Sequence, residues 1–103
     1  MLTISQLTSD STPTIKDSML AKLEVKMYPN PTKDYTILQL NQNITPLQLQ
    51  ITDGIGRTIV NKPIVTNNGI YTINTADYSS GIYYVALYNR TDKIYGGKLN
   101  IIK

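Results

Sequence analysis

Short runs in which apolar and polar residues alternate, separated by turn residues, set the strongest constraint on how this chain folds. In the clearest run, Leu47, Leu49 and Ile51 alternate with glutamines. A period of two places the apolar side chains on one face of a β-strand. Similar runs follow one another from Leu23 to the last residue, with turn residues at roughly 8–12-residue intervals.

The residue types in these runs agree with their spacing. Thr, Ile, Val and Tyr recur in them, and branched or planar side chains of this kind pack well on a pleated surface. No run has the spacing of an amphipathic helix, and no segment repeats. The sequence therefore predicts an all-β fold, an immunoglobulin-like antiparallel β-sandwich of about seven strands.

Turn residues and side-chain faces can be assigned within this pattern. Asn67-Asn68-Gly69 predicts a hairpin turn, because Asn-Gly tolerates positive φ. Asp53–Gly56 predicts a second tight turn, and Gly96-Gly97 predicts a bend before the final strand. In the longest run, 82–88, alternation places Tyr83, Val85 and Leu87 on the core face and Tyr84 and Tyr88 on the outer face.

The first part of the chain differs from the rest. Residues 1–22 are rich in Ser, Thr and Asp, contain Pro13, and show no sustained apolar period. They have neither the basic start nor the apolar stretch of a signal peptide. We therefore expect residues 1–22 to be a linker from something upstream and residues 23–103 to be the folded domain, so that the chain is the C-terminal piece of a longer precursor.

Composition argues against most kinds of chemistry. The chain has no His and no Cys, so the usual general base and the thiolate ligand or nucleophile are absent. Four of the five carboxylates considered as catalytic candidates stand in or beside predicted turns, where Asp caps backbone donors. We predict no catalytic residue, no metal site and no cofactor. The five candidates are Glu24, Asp34, Asp53, Asp77 and Asp92.

Charge and hydropathy argue against nucleic-acid binding and against a membrane-spanning segment. The net charge is +3, but the ten Lys and Arg residues are scattered singly rather than clustered on one face. A nucleic-acid interface needs clustered cations with stacking aromatics between them. No apolar run approaches the ~20 residues that a membrane helix needs. The sequence therefore predicts neither nucleic-acid binding nor a membrane span.

Four segments, in this order and at these spacings, resemble one family. Tyr28-Pro29-Asn30-Pro31 leads into the strand 35–40, and Asp53–Gly56 lies in a strand–turn–strand unit. A loop then ends in Gly81-Ile82-Tyr83 and enters a long strand, and the segment 98–103 closes the chain. Together they are similar to the type A C-terminal sorting domain of the type IX (Por) secretion system of Bacteroidota, over about residues 23–103. The family more often has Leu where Tyr78 stands.

The resemblance implies a function in export. Members of the family direct an attached passenger protein across the outer membrane through the type IX translocon, and a surface sortase then cleaves the domain off. The domain itself catalyses nothing. The expected location is the periplasm in transit and then the cell surface or the extracellular space. From the residues themselves we expect the cleavage site within residues 1–25, because proteases act on flexible polar linkers. The expected partners are translocon components, the sortase and the passenger.

Two sets of site residues follow. The final segment is the candidate surface for recognition, because chain ends are accessible and unpaired strand edges attract partners. An equally supported interpretation makes it the last core strand, with lysines that guard against aggregation. The recognition residues are Lys98, Leu99, Asn100, Ile101, Ile102 and Lys103. The residues of the family motif are Tyr28, Pro29, Asn30, Pro31, Asp53, Gly56, Gly81 and Tyr83.

Two other functions compete with this one. An immunoglobulin- or fibronectin-like module that binds carbohydrate or protein shares the fold, and an exposed strip of Tyr84, Tyr88 and Tyr95 on one sheet would favour it. A structural spacer in a surface protein would give the segment 98–103 no special role. Exposed edge strands also allow a weak or swapped homodimer.

Overall fold

The fold is known from a computed structural model, which describes residues 22–103. The predicted linker, apart from Lys22, lies outside the described residues. The alternating runs of the sequence form seven strands within that part of the chain. They are β1 (Val25–Tyr28), β2 (Tyr35–Leu40), β3 (Leu47–Asp53), β4 (Thr58–Ile64), β5 (Ile70–Asn74), β6 (Gly81–Asn89) and β7 (Asp92–Ile101).

The strands form two antiparallel sheets. The three-stranded sheet has the order β1-β2-β5, and the four-stranded sheet has the order β4-β3-β6-β7. This is the arrangement of an immunoglobulin-like sandwich, in which the chain passes between the two sheets. The predicted fold class, an all-β sandwich of seven strands, is confirmed.

The core lies between the two sheets and is built from the inward-facing positions of their strands. Tyr83, Val85 and Leu87 are buried and Tyr84 is half exposed, so the prediction for the faces of β6 is confirmed. Burial of this apolar surface supplies most of the driving force for folding. The buried apolar residues are Leu38, Leu40, Ile44, Leu47, Leu49, Ile51, Ile64, Ile73, Tyr83, Val85, Leu87, Leu99 and Ile101.

Two local predictions were wrong. Gly96-Gly97 does not bend the chain: β7 continues from Asp92 to Ile101, and a bulge opposite Leu87/Tyr88 supplies the irregularity instead. The Asn67–Gly69 segment forms the predicted tight turn, in which Asn67 and Ile70 exchange two backbone hydrogen bonds of 2.9 Å. The turn does not join a hairpin, because β4 and β5 lie in different sheets.

The strand directions divide the connecting segments between two ends of the sandwich. One end, here called the motif end, contains residues 29–34, 53–57, 75–80 and 101–103. The opposite end contains residues 22–24, 41–46, 65–69 and 90–91. At the opposite end the Asn41 side chain holds the entering chain, accepting from the backbone N–H of Glu24 at 2.8 Å and donating to the carbonyl of Lys22 at 2.9 Å.

Candidate functional site

The four motif segments, which are separated along the chain, meet at the motif end. Pro29–Pro31 follows β1, the Asp53–Gly56 turn joins β3 to β4, Gly81 opens β6, and Lys98–Lys103 ends β7. The structure therefore brings all the predicted motif residues to one part of the surface or directly beneath it. Hydrogen bonds join three of these segments directly or through the loop 75–80.

The proline segment binds the outer edge of the last strand. The Asn30 amide donates to the carbonyl of Lys98 at 2.8 Å, and its oxygen accepts from the backbone N–H of Asn100 at 2.9 Å. Thr32 continues the pairing: its N–H donates to the carbonyl of Asn100, and its carbonyl accepts from the N–H of Ile102, both at 2.9 Å. The Asn30 side chain thus replaces backbone groups next to prolines, which have no N–H to donate.

This contact corrects the expectation of an open edge at the chain end. The outward backbone groups from the carbonyl of Lys98 to the N–H of Ile102 are already bonded to Asn30 and Thr32, so a partner strand cannot pair with them. The apolar surface that the terminal segment exposes is also small. Leu99 and Ile101 are buried in the core, and of the three apolar side chains only that of Ile102, 53% exposed, reaches the surface.

The last residue fastens the terminal segment to a neighbouring loop. The Lys103 ammonium donates to the carbonyls of Thr75 and Ala76, each at 2.9 Å, and its backbone N–H donates to the Ser80 hydroxyl at 2.9 Å. Thr75 is fully buried and in turn donates from its hydroxyl to the carbonyl of Lys33 at 3.1 Å. Lys103 therefore contributes to the architecture of this end as well as to its charge.

The Asp53 turn is organised by one carboxylate. One Asp53 oxygen accepts from the N–H groups of Ile55 at 3.1 Å and Arg57 at 2.9 Å, and the other accepts from the Arg57 guanidinium at 2.9 Å. The Arg57 backbone N–H is the main reason that the pKa of Asp53 lies below its usual value, while partial desolvation opposes this shift. The structure thus assigns Asp53 to the turn, and Ile55 at its tip is 81% exposed.

Gly81 and Tyr83 connect the loop 75–80 to β6. Gly81 begins the strand with a φ of +155°, and the buried Tyr83 donates from its hydroxyl to the carbonyl of Ser79 at 2.8 Å. The Tyr78 ring lies with its centre 5.4 Å from that of Tyr83, and burial raises the pKa of Tyr78. The tyrosine that stands where the family more often has leucine therefore packs at the edge of the core as an aromatic pair.

Replacing Asn30 with alanine removes both bonds that its side chain makes to β7. We expect a loss of about 1–2 kcal/mol in the free energy of unfolding, since each such bond contributes roughly 0.5–1.5 kcal/mol. Amide exchange at Asn100 should accelerate, while exchange at Leu99, whose backbone faces β6, should not. Asn61→Ala is the matched control, because its side chain bonds only another exposed side chain, that of Gln48. Equal effects at both positions would contradict a role for Asn30 in holding the edge.

Acidification should weaken the Asp53 turn. Because the folded state lowers the pKa of Asp53 from 3.8, its contribution to stability is complete above about pH 4 and is lost as the pH falls through the folded value. We expect Asp53→Asn to have a shallower decline of melting temperature between pH 4 and pH 2 than the parent protein. Thermal unfolding followed by circular dichroism measures both curves, and parallel curves would contradict this assignment.

Several residues at this end carry no sequence signal that reveals their roles. Thr32 and Thr75 are polar yet buried, and their bonds reach residues distant in the chain. Within residues 22–103, no three His, Cys, Asp or Glu side chains gather as metal ligands would, and no helix is long and apolar enough to span a bilayer. The motif end therefore presents exposed side chains on segments that hydrogen bonds hold together.

These features define a class of protein: a small immunoglobulin-like sandwich whose motif residues are concentrated at one end. Residues 26–102 match the family model described as the secretion system C-terminal sorting domain. The chain belongs to this family, and so carries a C-terminal sorting signal of type IX secretion. A search of curated proteins gave no match.

Membership has direct consequences for the protein's partners and destination. A sorting domain of this family acts with the type IX secretion machinery and is attached to a passenger. The protein that carries it is secreted, to the cell surface or the extracellular space. The family is one of sorting signals rather than of enzymes.

Proposed function

We propose that this domain directs its passenger through the outer-membrane translocon, which recognises the folded domain at its motif end. The observation that carries the proposal is the binding of Asn30 and Thr32 to the last strand, which makes the chain terminus part of a rigid surface. The domain performs no reaction of its own. The passenger crosses the periplasm attached to it, and a surface sortase then cleaves the chain within residues 1–25.

The residues that contact the machinery are the exposed ones of the terminal segment. Lys98 and Ile102 project from β7 and its end, on either side of the buried Leu99 and Ile101. Lys103 is exposed in part while its ammonium holds the loop 75–80. Each of the two interpretations of this segment therefore applies to different residues: the buried residues belong to the core, and the exposed residues contact the partner.

An export assay tests this division. Residues 1–103 are fused behind a signal peptide and a fluorescent reporter and expressed in a host with a type IX system. Lys98→Ala combined with Ile102→Ala should leave the domain folded and retain the reporter in the periplasm, because each change removes an exposed contact. The matched control is Lys62→Ala with Val65→Ala, a cation and a 77% exposed apolar residue toward the opposite end.

The outcomes separate the alternatives. Export of the parent fusion and of the Lys62/Val65 variant, with retention of the folded Lys98/Ile102 variant, supports reading at the motif end. Export of all three contradicts that surface while leaving the sorting function intact. If the folded parent fusion never leaves the periplasm, the sorting proposal fails, and a binding module for carbohydrate or protein becomes the better interpretation. Deleting residues 98–103 is a poor test by comparison, because it also removes two core side chains.

A further inference from the structure

The outer face of the four-stranded sheet contains a groove that export does not explain. It has a volume of about 160 Å³ and lies between Tyr84 and Tyr88, on a floor of Ala86 and Gly96. The strand register creates it: Ala86 pairs with Gly96, while Tyr84 pairs with Lys98 and Tyr88 with Lys93. Small residues in the middle row and large ones in the rows beside it leave a depression across the sheet.

Two tyrosines form the walls of this groove. Tyr84 and Tyr88 are four residues apart on one strand, which separates them by about 13 Å at roughly 3.3 Å per residue. Tyr84 is 49% exposed, so its ring presents an apolar surface while its hydroxyl remains able to form hydrogen bonds. Tyr95, the third tyrosine of the strip that would favour a binding module, is instead paired with the buried Leu87 and faces the core side, where burial raises its pKa.

The polar groups around the groove are amides, hydroxyls and cations. Gln50 and Thr52 line it from β3. The Lys93 side chain lies across Gly96, since a Cβ added there would stand 3.0 Å from its Cε and 3.2 Å from its Nζ. None of the outward-facing positions in the four strands is Asp or Glu. The groove is therefore electrostatically complementary to an anion.

We propose that this groove binds an acidic saccharide. An aromatic wall stacks on the apolar face of a sugar ring, amides and hydroxyls match its hydroxyl groups, and the Lys93 ammonium pairs with a carboxylate of the sugar. An acidic peptide fits less well. Its main chain needs a free strand edge, and the groove lies over β6, whose backbone is paired on both sides with β3 and β7.

The site is separate from the residues that hold the motif end together. None of the groove residues bonds to Asn30, Thr32 or Lys103. A variant at Gly96 also changes the groove without a large effect on the fold, because the only atoms an added methyl would meet belong to the flexible end of Lys93. Gly96→Ala should therefore fill the floor of the groove and displace the ammonium while the domain stays folded.

Titration followed by ¹H–¹⁵N correlation spectra tests the proposal, with an oligomer of galacturonic acid and the neutral galactose oligomer of equal length as probes. We expect the acidic oligomer to shift the amides of Tyr84, Ala86 and Gly96. Tyr84→Ala should weaken binding roughly tenfold, the loss of one stacking contact. The matched control is Tyr35→Ala, because Tyr35 is 50% exposed and lies on the other sheet. Lys93→Ala should lower the affinity for the acidic oligomer to that for the neutral oligomer.

Four results would overturn the proposal: no shifts with either sugar at millimolar concentration; equal weakening by Tyr84→Ala and Tyr35→Ala; unchanged binding in Gly96→Ala; or shifts of the same amides by a polyglutamate peptide and not by the sugar. Melting temperatures of all variants establish that each is folded. Export of the Gly96→Ala fusion should equal that of the parent, because Gly96 pairs with Ala86 in the middle of the sheet. Tyr84→Ala is not used for this comparison, because Tyr84 pairs with Lys98 of the proposed recognition surface.

Discussion

Replacing Leu99 with alanine should lower the free energy of unfolding by about 2–5 kcal/mol, the usual cost of removing a buried leucine side chain. Leu99 is completely buried between the sheets, and a domain of this size has a total stability of only roughly 5–10 kcal/mol. The melting temperature should therefore fall by roughly 8–40 °C, since 1 kcal/mol corresponds to about 4–8 °C in a small domain.

The neighbouring Ile102 is the matched control for this change. It lies three residues further along the same segment and is 53% exposed. Ile102→Ala should change stability by no more than about 0.5 kcal/mol, as surface substitutions usually do. If Leu99→Ala leaves the melting temperature unchanged, the terminal segment is not part of the core. If both variants are folded and only Leu99→Ala blocks export, the buried half of the segment is read after it leaves the core.

The second large effect is expected at Gly69, where alanine should prevent folding at ordinary temperatures. Its backbone has a φ of +79°, and an added Cβ would lie 2.3 Å from the carbonyl oxygen of Leu40. That oxygen belongs to the end of β2, whose N–H bonds to the carbonyl of Gly69 at 2.8 Å. Neither backbone can move without breaking the contact by which the intersheet turn meets the three-stranded sheet.

Gly56 is a control that separates the cost of a positive φ from the cost of a steric clash. It too has positive φ, at +90°, but an added Cβ would meet nothing within 4 Å. Gly56→Ala should cost about 1–2 kcal/mol, the conformational penalty alone, and remain folded. Circular dichroism and thermal unfolding of the two variants provide the measurement. Equal losses would show that only the dihedral angle matters at Gly69.

The sequence predicts the strands and their faces well because these depend on local periodicity. The alternation in 47–51 and 82–88 assigns the inward side chains correctly, and turn residues mark the ends of strands except at Gly96-Gly97, which lies within β7. The Asn67–Gly69 turn shows the limit of such reasoning. Its conformation follows from its own residues, whereas the identity of the paired strand depends on which sheet each neighbour has joined.

The arrangement of the motif end could not be predicted in the same way. The bonds from Asn30 to Lys98 and Asn100 span 68 and 70 residues of sequence, and nothing in the local composition of either segment indicates the other. The burial of the threonines could not be predicted either, because a polar residue is expected to be exposed unless its hydrogen-bond partner is known. The resemblance to a family marked these segments as important without showing that they meet.

The chain enters this sandwich at one end and finishes at the other. Asn41 holds Lys22 and Glu24 at the entry, whereas Lys103 is fastened beside Ser80, and the sheets between them are about 20 Å long for strands of six to seven residues. If the passenger is attached at the entry and the translocon recognises the motif end, as proposed, the two lie at opposite ends of the domain. Under the proposed function, the sortase can therefore cleave the chain between the passenger and the domain while the translocon still holds the motif end, so that release of the passenger does not require release of the domain.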